Sequence, residues 1–269
     1  DGSAKLRNAE IALVLDISGS MGGSPLSDLK DGSKQFVENF EDQENDNKFA
    51  LLTFASGVQK PFDMDHGYVS PITSAISGLN ANGSTNTEDA LAQAAALPWS
   101  DQSGVSANER TKQVVVFFSD GNPTAFRGNF VYNNNTYNGV AAKYTNSSSF
   151  LPQLAEPNAQ LQFFPTSSIY NVYKTGDGKP SGSSGCGTLT VKWEIFSDPT
   201  YGLGNFPATA SLDPEHCLIT TPDPLIDYHV WLIKQMAIDN AQAIKNNGIE
   251  IYTIGLGDVD PNFLAALSS

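Results

Sequence analysis

EIALVLD, residues Glu10–Asp16, is apolar at five consecutive positions and ends in a carboxylate. A short run of this kind, rich in branched side chains and without alternation, reads as a strand covered on both faces, which means a parallel sheet between two helical layers. QVVVFFSD (Gln113–Asp120) and IEIYTIG (Ile249–Gly255) have the same character. KFALLTF (Lys48–Phe54) is a fourth strand. Val58–Phe62 follows it after only Ala55–Gly57, so it pairs back antiparallel as an edge. Between these strands lie helical patterns at Ser24–Phe40, Val69–Leu79, Thr85–Leu97, Asp227–Asn247 and Pro261–Leu267. Strand and helix alternate, which predicts an α/β class with a three-layer, doubly wound, mostly parallel sheet.

One stretch departs from this alternation. From about Pro123 to Pro224 the chain is rich in Asn, Ser, Tyr and Gly, and it carries both cysteines, Cys186 and Cys217. Connections of that length are rare in compact domains, so it reads as a large, irregular, β-leaning insertion. The expected organisation is residues 1–122 as the first part of the α/β domain, 123–226 as the insertion and 227–269 as the second part. The two cysteines read as one disulfide of an oxidising compartment, with two separate buried thiols as the alternative. Such a bond would close a loop of about 30 residues and contribute roughly 3 to 4 kcal/mol.

Charge narrows the function. The 269 residues carry 29 acidic and 15 basic side chains, a formal net of −14. That balance excludes the basic footprint of a nucleic-acid binder and disfavours an anionic membrane surface. No run reaches the ~18 apolar residues of a membrane span, so no direct membrane insertion is expected. The start of the chain lacks the regions of a signal peptide, and the chain is expected to be a mature or trimmed extracellular piece.

The chemistry gathers where the strands end. Asp16-Ile17-Ser18-Gly19-Ser20 leaves the first strand, and alternation places Asp16, Ser18 and Ser20 on one side if the segment stays extended. One carboxylate and two hydroxyls suit a hard cation and not a thiolate-loving metal. In isolation the same residues are more often turn formers and helix caps. Phe118-Ser119-Asp120-Gly121 ends a second buried strand in a carboxylate. Thr85, at an expected helix start, brings a further hydroxyl to the same rim, with an N-cap as its plain reading. Ligands of open α/β sheets sit at the carboxyl ends of strands, so Asp16 and Asp120 meet there if their strands are neighbours.

Enzyme readings lack their residues. His66, His216 and His229 lie outside the rim motifs, and neither a GxSxG elbow nor a GxxxxGK[ST] loop occurs. Asp42-x-Glu44-x-Asp46 has Asn47 where a calcium loop needs glycine and reads as a solvated acidic turn. The chain is expected not to be an enzyme.

Asp16-x-Ser18-x-Ser20, Thr85 within Gly83–Leu91, Ser119-Asp120-Gly121 and Ile251–Gly255 together resemble the von Willebrand factor A domain with its metal-ion-dependent adhesion site. The resemblance covers about 160 residues on both sides of the insertion. It implies a divalent cation, Mg²⁺ first with Mn²⁺ or Ca²⁺ as alternatives, contacted directly by Ser18, Ser20 and Thr85 and through waters by Asp16 and Asp120. It also implies a protein or cell-surface partner whose carboxylate completes the coordination sphere. A large insertion after the Ser-Asp-Gly strand resembles bacterial A domains of Tad-type pilus assembly proteins and surface-pilus adhesins, implying an extracellular or cell-surface, pilus- or envelope-associated setting. On that analogy the insertion rises from the metal rim, and Phe126, Phe130, Tyr132, Tyr137 and Tyr144 serve either as contact residues or as its core. Family members carry a further strand and a long C-terminal helix, both expected to be missing from this chain, which stops at Ser269. Two functions follow: an adhesion module that captures an acidic group through the cation, or a structural surface or pilus assembly subunit in which the ion only stabilises loops.

Overall fold

The structure is a computed structural model and describes residues 8–121, 123–132, 135–143, 150–151, 153–154, 162–163 and 224–269. Cys186 and Cys217, and with them the expected disulfide, lie outside the described residues. The chain divides into two compact units, Asp1–Pro123 with Met236–Ser269, and Thr124–Gln235.

In the first unit five strands form one sheet: β1 (Ala9–Asp16), β2 (Lys48–Phe54), β3 (Val58–Asp65), β4 (Lys112–Ser119) and β10 (Glu250–Gly255), in the order β10-β4-β1-β2-β3. β1 is central and runs parallel to both neighbours, with Ala12 opposite Ala50 on one side and Val115 on the other. β10 joins β4 in parallel, and β3 turns back antiparallel at the edge, as its short connection requires. β3 extends to Asp65, past the apolar run that announces it. It pairs with register shifts and leaves most of its side chains in solvent, so its later residues carry no hydrophobic signature.

Alternation along β1 supplies two cores at once. Ile11, Leu13 and Leu15 face helices α1 (Ser24–Glu38) and α2 (Val69–Ser77), meeting Leu29, Val37, Ile72 and Ile76. Ala12 and Val14 face α3 (Thr87–Ala95), α4 (Pro224–Asn246) and α5 (Pro261–Leu267), through Leu91, Ala94, Ala241, Ile244 and Leu264. Burial on both faces explains why the strand reads as a continuous apolar run. Phe49 stacks on Tyr68 at 4.1 Å in the first layer, and Phe54 on Phe117 at 5.3 Å in the second.

The helix ends follow their capping chemistry. α5 opens with Pro261 at its first position, and the Asp260 carboxylate accepts the Phe263 N–H at 3.0 Å. α3 begins two residues later than expected. Its cap is Asn86, whose side-chain oxygen accepts the Asp89 N–H, and Thr85 belongs to the loop before it. At the amino-terminal ends of the strands, the buried Glu10 carboxylate accepts from the Ser100 N–H at 2.8 Å, the Ser100 hydroxyl at 3.0 Å and the Gln113 amide at 2.9 Å.

The second unit contains β5 (Ala125–Tyr132) paired antiparallel with β6 (Asn135–Lys143), which pairs with β7 (Phe150–Leu151); β8 (Gln153–Leu154) pairs with β9 (Gln162–Phe163). Phe126 is fully buried, so it is core and not a contact residue; the side chains of Phe130, Tyr132, Tyr137 and Tyr144 lie outside the described residues.

Truncating Leu13, which is fully buried at the centre of the sheet, should cost about 2–5 kcal/mol. Urea unfolding of Leu13→Ala should show a lower midpoint at an unchanged slope.

Candidate metal-binding rim

Parallel pairing brings the ends of β1 and β4 side by side, since Leu15 lies opposite Phe118. The next residues, Asp16 and Ser119, are therefore neighbours. The Ser119 hydroxyl donates to Asp16 Oδ2 at 2.6 Å and itself accepts the Gly121 N–H at 2.9 Å. Asp16 Oδ1 accepts the Ser18 N–H at 2.8 Å, which curls the chain leaving β1. Gly19–Met21 then forms a single 3₁₀ turn, and the hydroxyls of Ser18 and Ser20 lie 3.1 Å apart. The segment does not stay extended, yet the turn still leaves those two hydroxyls adjacent.

The loop before α3 is laced to this turn by backbone. Asn82 N–H donates to Ile17 O, and Gly19 N–H donates to Gly83 O, both at 2.9 Å. Gly83 sits at φ 75°, and a Cβ there would lie 2.9 Å from the Ser56 hydroxyl, so only glycine allows this close passage. The same hydroxyl accepts the Ser84 N–H, and the Asn86 amide donates to Ser56 O. Thr85 is thereby held in the buried part of the loop laced to the Asp16–Ser20 turn, at 2% exposure. Beyond β4, Asp120 is 5% exposed, and its carbonyl accepts the Asp260 N–H at 3.1 Å.

Four of the five residues singled out from the sequence are buried at the carboxyl ends of the strands: Asp16, Ser18, Thr85 and Asp120. Ser20 alone is exposed. Ser119 and Ser56, which hold the site's carboxylate and loop, were not singled out. The Ser-Asp-Gly triplet was the available signal for Ser119, but its role depends on the register between β1 and β4.

Electrostatics set this rim apart. Burial raises the Asp16 carboxyl from its ordinary 3.8 to about 6; hydrogen bonds from Ser119 and Ser18 pull it down, and the nearby Asp120 charge adds to the rise. No lysine or arginine among the described residues forms an ion pair with Asp16. A buried carboxylate with a second acid close by, and neutral donors on both of its oxygens, fits a dication, which would supply the positive charge that a basic side chain supplies elsewhere. No group of three His, Cys, Asp or Glu side chains among the described residues is arranged for a metal, so any ion here would rely on hydroxyl oxygens.

A concavity of about 500 Å³ at the other end of the sheet is lined by Trp99, Arg110 and Gln113. Its polar groups satisfy one another: Gln102 donates to the Ser100 hydroxyl at 2.6 Å, and Asp101 accepts the Ser103 N–H at 2.7 Å. It offers less unspent chemistry than the rim.

Comparison with known proteins bears on the fold that carries this rim. Residues 11–122 match the family described as the von Willebrand factor type A domain. The fold resembles the pilus adhesin SpaC from Lactobacillus rhamnosus GG in its open conformation, at 18% identity and a TM-score of 0.50, over 98% of this chain and 27% of that one. It also resembles the vWF domain of the type V pili tip protein Mfa5 from Porphyromonas gingivalis, at 18% identity and a TM-score of 0.51, over 98% of this chain and 87% of that one. A piece of Mfa5 containing three N-terminal domains gives 17% identity and a TM-score of 0.52, over 98% of this chain and 45% of that one. This chain thus spans about a quarter of the SpaC chain. No curated protein matches it. These likenesses establish the von Willebrand factor type A fold. No helix among the described residues is long and apolar enough to cross a membrane.

Because Asp16 binds its proton more tightly folded than unfolded, its contribution favours the metal-free fold below pH 3.8 and is lost as pH rises to about 6. The loss is on the order of 3 kcal/mol. Urea unfolding in chelator should show this decline, and Asp16→Asn should flatten it.

Proposed function

We propose that this chain is a surface adhesion or pilus-associated module that captures an acidic group on a partner through a divalent cation, with no catalytic step. The observation that carries the reading is the buried Asp16 carboxylate, held by the neutral donors of Ser18 and Ser119 with the Asp120 charge nearby. Ser18, Ser20 and Thr85 would hold the ion directly, and Asp16 and Asp120 through water. The bound ion supplies a local positive charge with a position open to an outside carboxylate. Oxygen donors of this kind favour Mg²⁺, with Mn²⁺ and Ca²⁺ as competitors.

Exposure favours capture over a purely structural role. With four of the five residues buried and Ser20 facing solvent, the site has one open side. An ion there would reverse, over a few ångströms, the repulsion that a −14 protein exerts on an acidic partner. Fold likeness to pilus adhesins supports a cell-surface setting and a protein or surface ligand.

Isothermal titration with Mg²⁺, Mn²⁺ and Ca²⁺ tests the ion. The wild type should bind, and Asp16→Ala and Thr85→Ala should weaken binding by tenfold or more, roughly the worth of one charge-assisted contact, with circular dichroism unchanged. Retention on a carboxylate-coated surface should require the cation and vanish in chelator. If the ion raises the melting temperature and leaves retention unchanged, it serves only to stabilise loops. Absence of binding at millimolar cation would remove the site altogether.

A further inference from the structure

We propose that Asn82–Gly83 is a spontaneous deamidation site whose conversion to isoaspartate unclasps the rim loop from the Asp16–Ser20 turn. The Gly83 amide nitrogen attacks the Asn82 side-chain carbonyl carbon, a C–N bond forms, and the side-chain nitrogen leaves as ammonia. Water then opens the resulting succinimide at either carbonyl, giving aspartate or isoaspartate. The attack is intramolecular, and a following glycine puts no side chain in its way.

Two Asn-Gly pairs of the first unit allow a comparison within the same molecule. Asn82 and Asn247 are both exposed, and both are followed by a glycine at positive φ, 75° at Gly83 and 79° at Gly248. They differ in the nucleophile. Gly248 N–H donates to Lys245 O at 2.9 Å, closing the end of α4, so its nitrogen is held away from attack. Among the described residues Gly83 N–H donates no hydrogen bond, and the Asn82 side chain makes none. The Gly83 nitrogen is therefore free to attack.

The consequence lies in the backbone. Isoaspartate routes the main chain through the side-chain carbon and adds an atom between residue 82 and Gly83. Asn82 N–H and Gly83 O hold the turn from opposite sides of that link, through Ile17 O and Gly19 N–H. Lengthening the link between two fixed anchors breaks at least one of them. On the other side the Ser84 N–H is tied to the Ser56 hydroxyl at 2.9 Å, which takes up the slack there, so the Gly19 bond yields. Ser18 and Ser20 flank Gly19, and in the metal reading above, on which this last step rests, the modification lowers cation affinity.

The test ages the full chain at mildly alkaline pH and maps peptides by mass, with isoaspartyl methyltransferase labelling to separate the two products. Asn82 should convert roughly tenfold faster than Asn247, the factor one retained backbone hydrogen bond supplies. Hydrogen exchange at Gly19 should accelerate by a similar factor in the isoaspartate form, stay unchanged in Asn82→Asp, where only charge is added, and stay unchanged in aged Asn82→Gln, where ring closure is slow. Equal rates at the two sites, or undiminished Gly19 protection in the isoaspartate form, would overturn the proposal. Cation titration of fresh and aged protein completes the set. If fresh protein binds no ion, the metal reading fails, while mass and exchange still decide the modification.

Discussion

Burial of β1 on both faces, between two parallel neighbours, is the constraint on which the remaining structure depends. A strand in that position can carry no polar side chain along its middle, so its chemistry is pushed to its two ends. Glu10 closes one end and Asp16 the other, both buried and both met by donors from distant parts of the chain. The parallel register with β4 sets Ser119 beside Asp16, and the parallel pairing with β2 continues past Phe54, where Ile17 N–H donates to Phe54 O at 2.8 Å. The rim is thus the carboxyl end of the sheet, where polar groups first become affordable.

That geometry sets two carboxylates close together with little to offset their repulsion. Hydroxyls and backbone amides orient Asp16 without neutralising it, and burial keeps water from screening the Asp120 charge. The rim is held by short backbone links between three segments, so its shape depends on the loop preceding α3 as much as on the residues that carry oxygen. Gly83 and Ser56 belong to the site in this sense, one by letting the chain pass closely and the other by holding the Ser84 N–H.

Much of the fold could be read from the residues because local and global signals agree. β1, β2 and β4 are continuous apolar runs, and Pro261 with Asp260 marks the start of α5 unambiguously. Where two residues of similar capping ability stand together, the sequence is silent: Thr85 and Asn86 both suit a helix start. The choice falls on Asn86 because its N–H reaches Ala55 O across the sheet end. The length of β3 was hidden because an exposed edge strand needs no hydrophobic alternation. The roles of Ser119 and the raised pKa of Asp16 depend on which strands are neighbours and how deeply they are buried, and neither is a local property.

The central placement of β1 also has a consequence for biosynthesis. As the chain leaves the ribosome, β1 finds β2 soon after, but its other edge stays open until Lys112–Ser119 has been made. Over that interval Glu10 has no Gln113 to donate to it, and one edge of the strand's backbone groups is unpaired. β10 arrives only after the whole inserted unit, although its contacts with β4 are as regular as any in the sheet. Non-local pairings of this kind are slow to form and expose sticky strand edges while they wait. While the segment between β4 and β10 is being made, a nascent chain of this topology carries an open, apolar sheet edge, and it is in this period that protection from aggregation matters most.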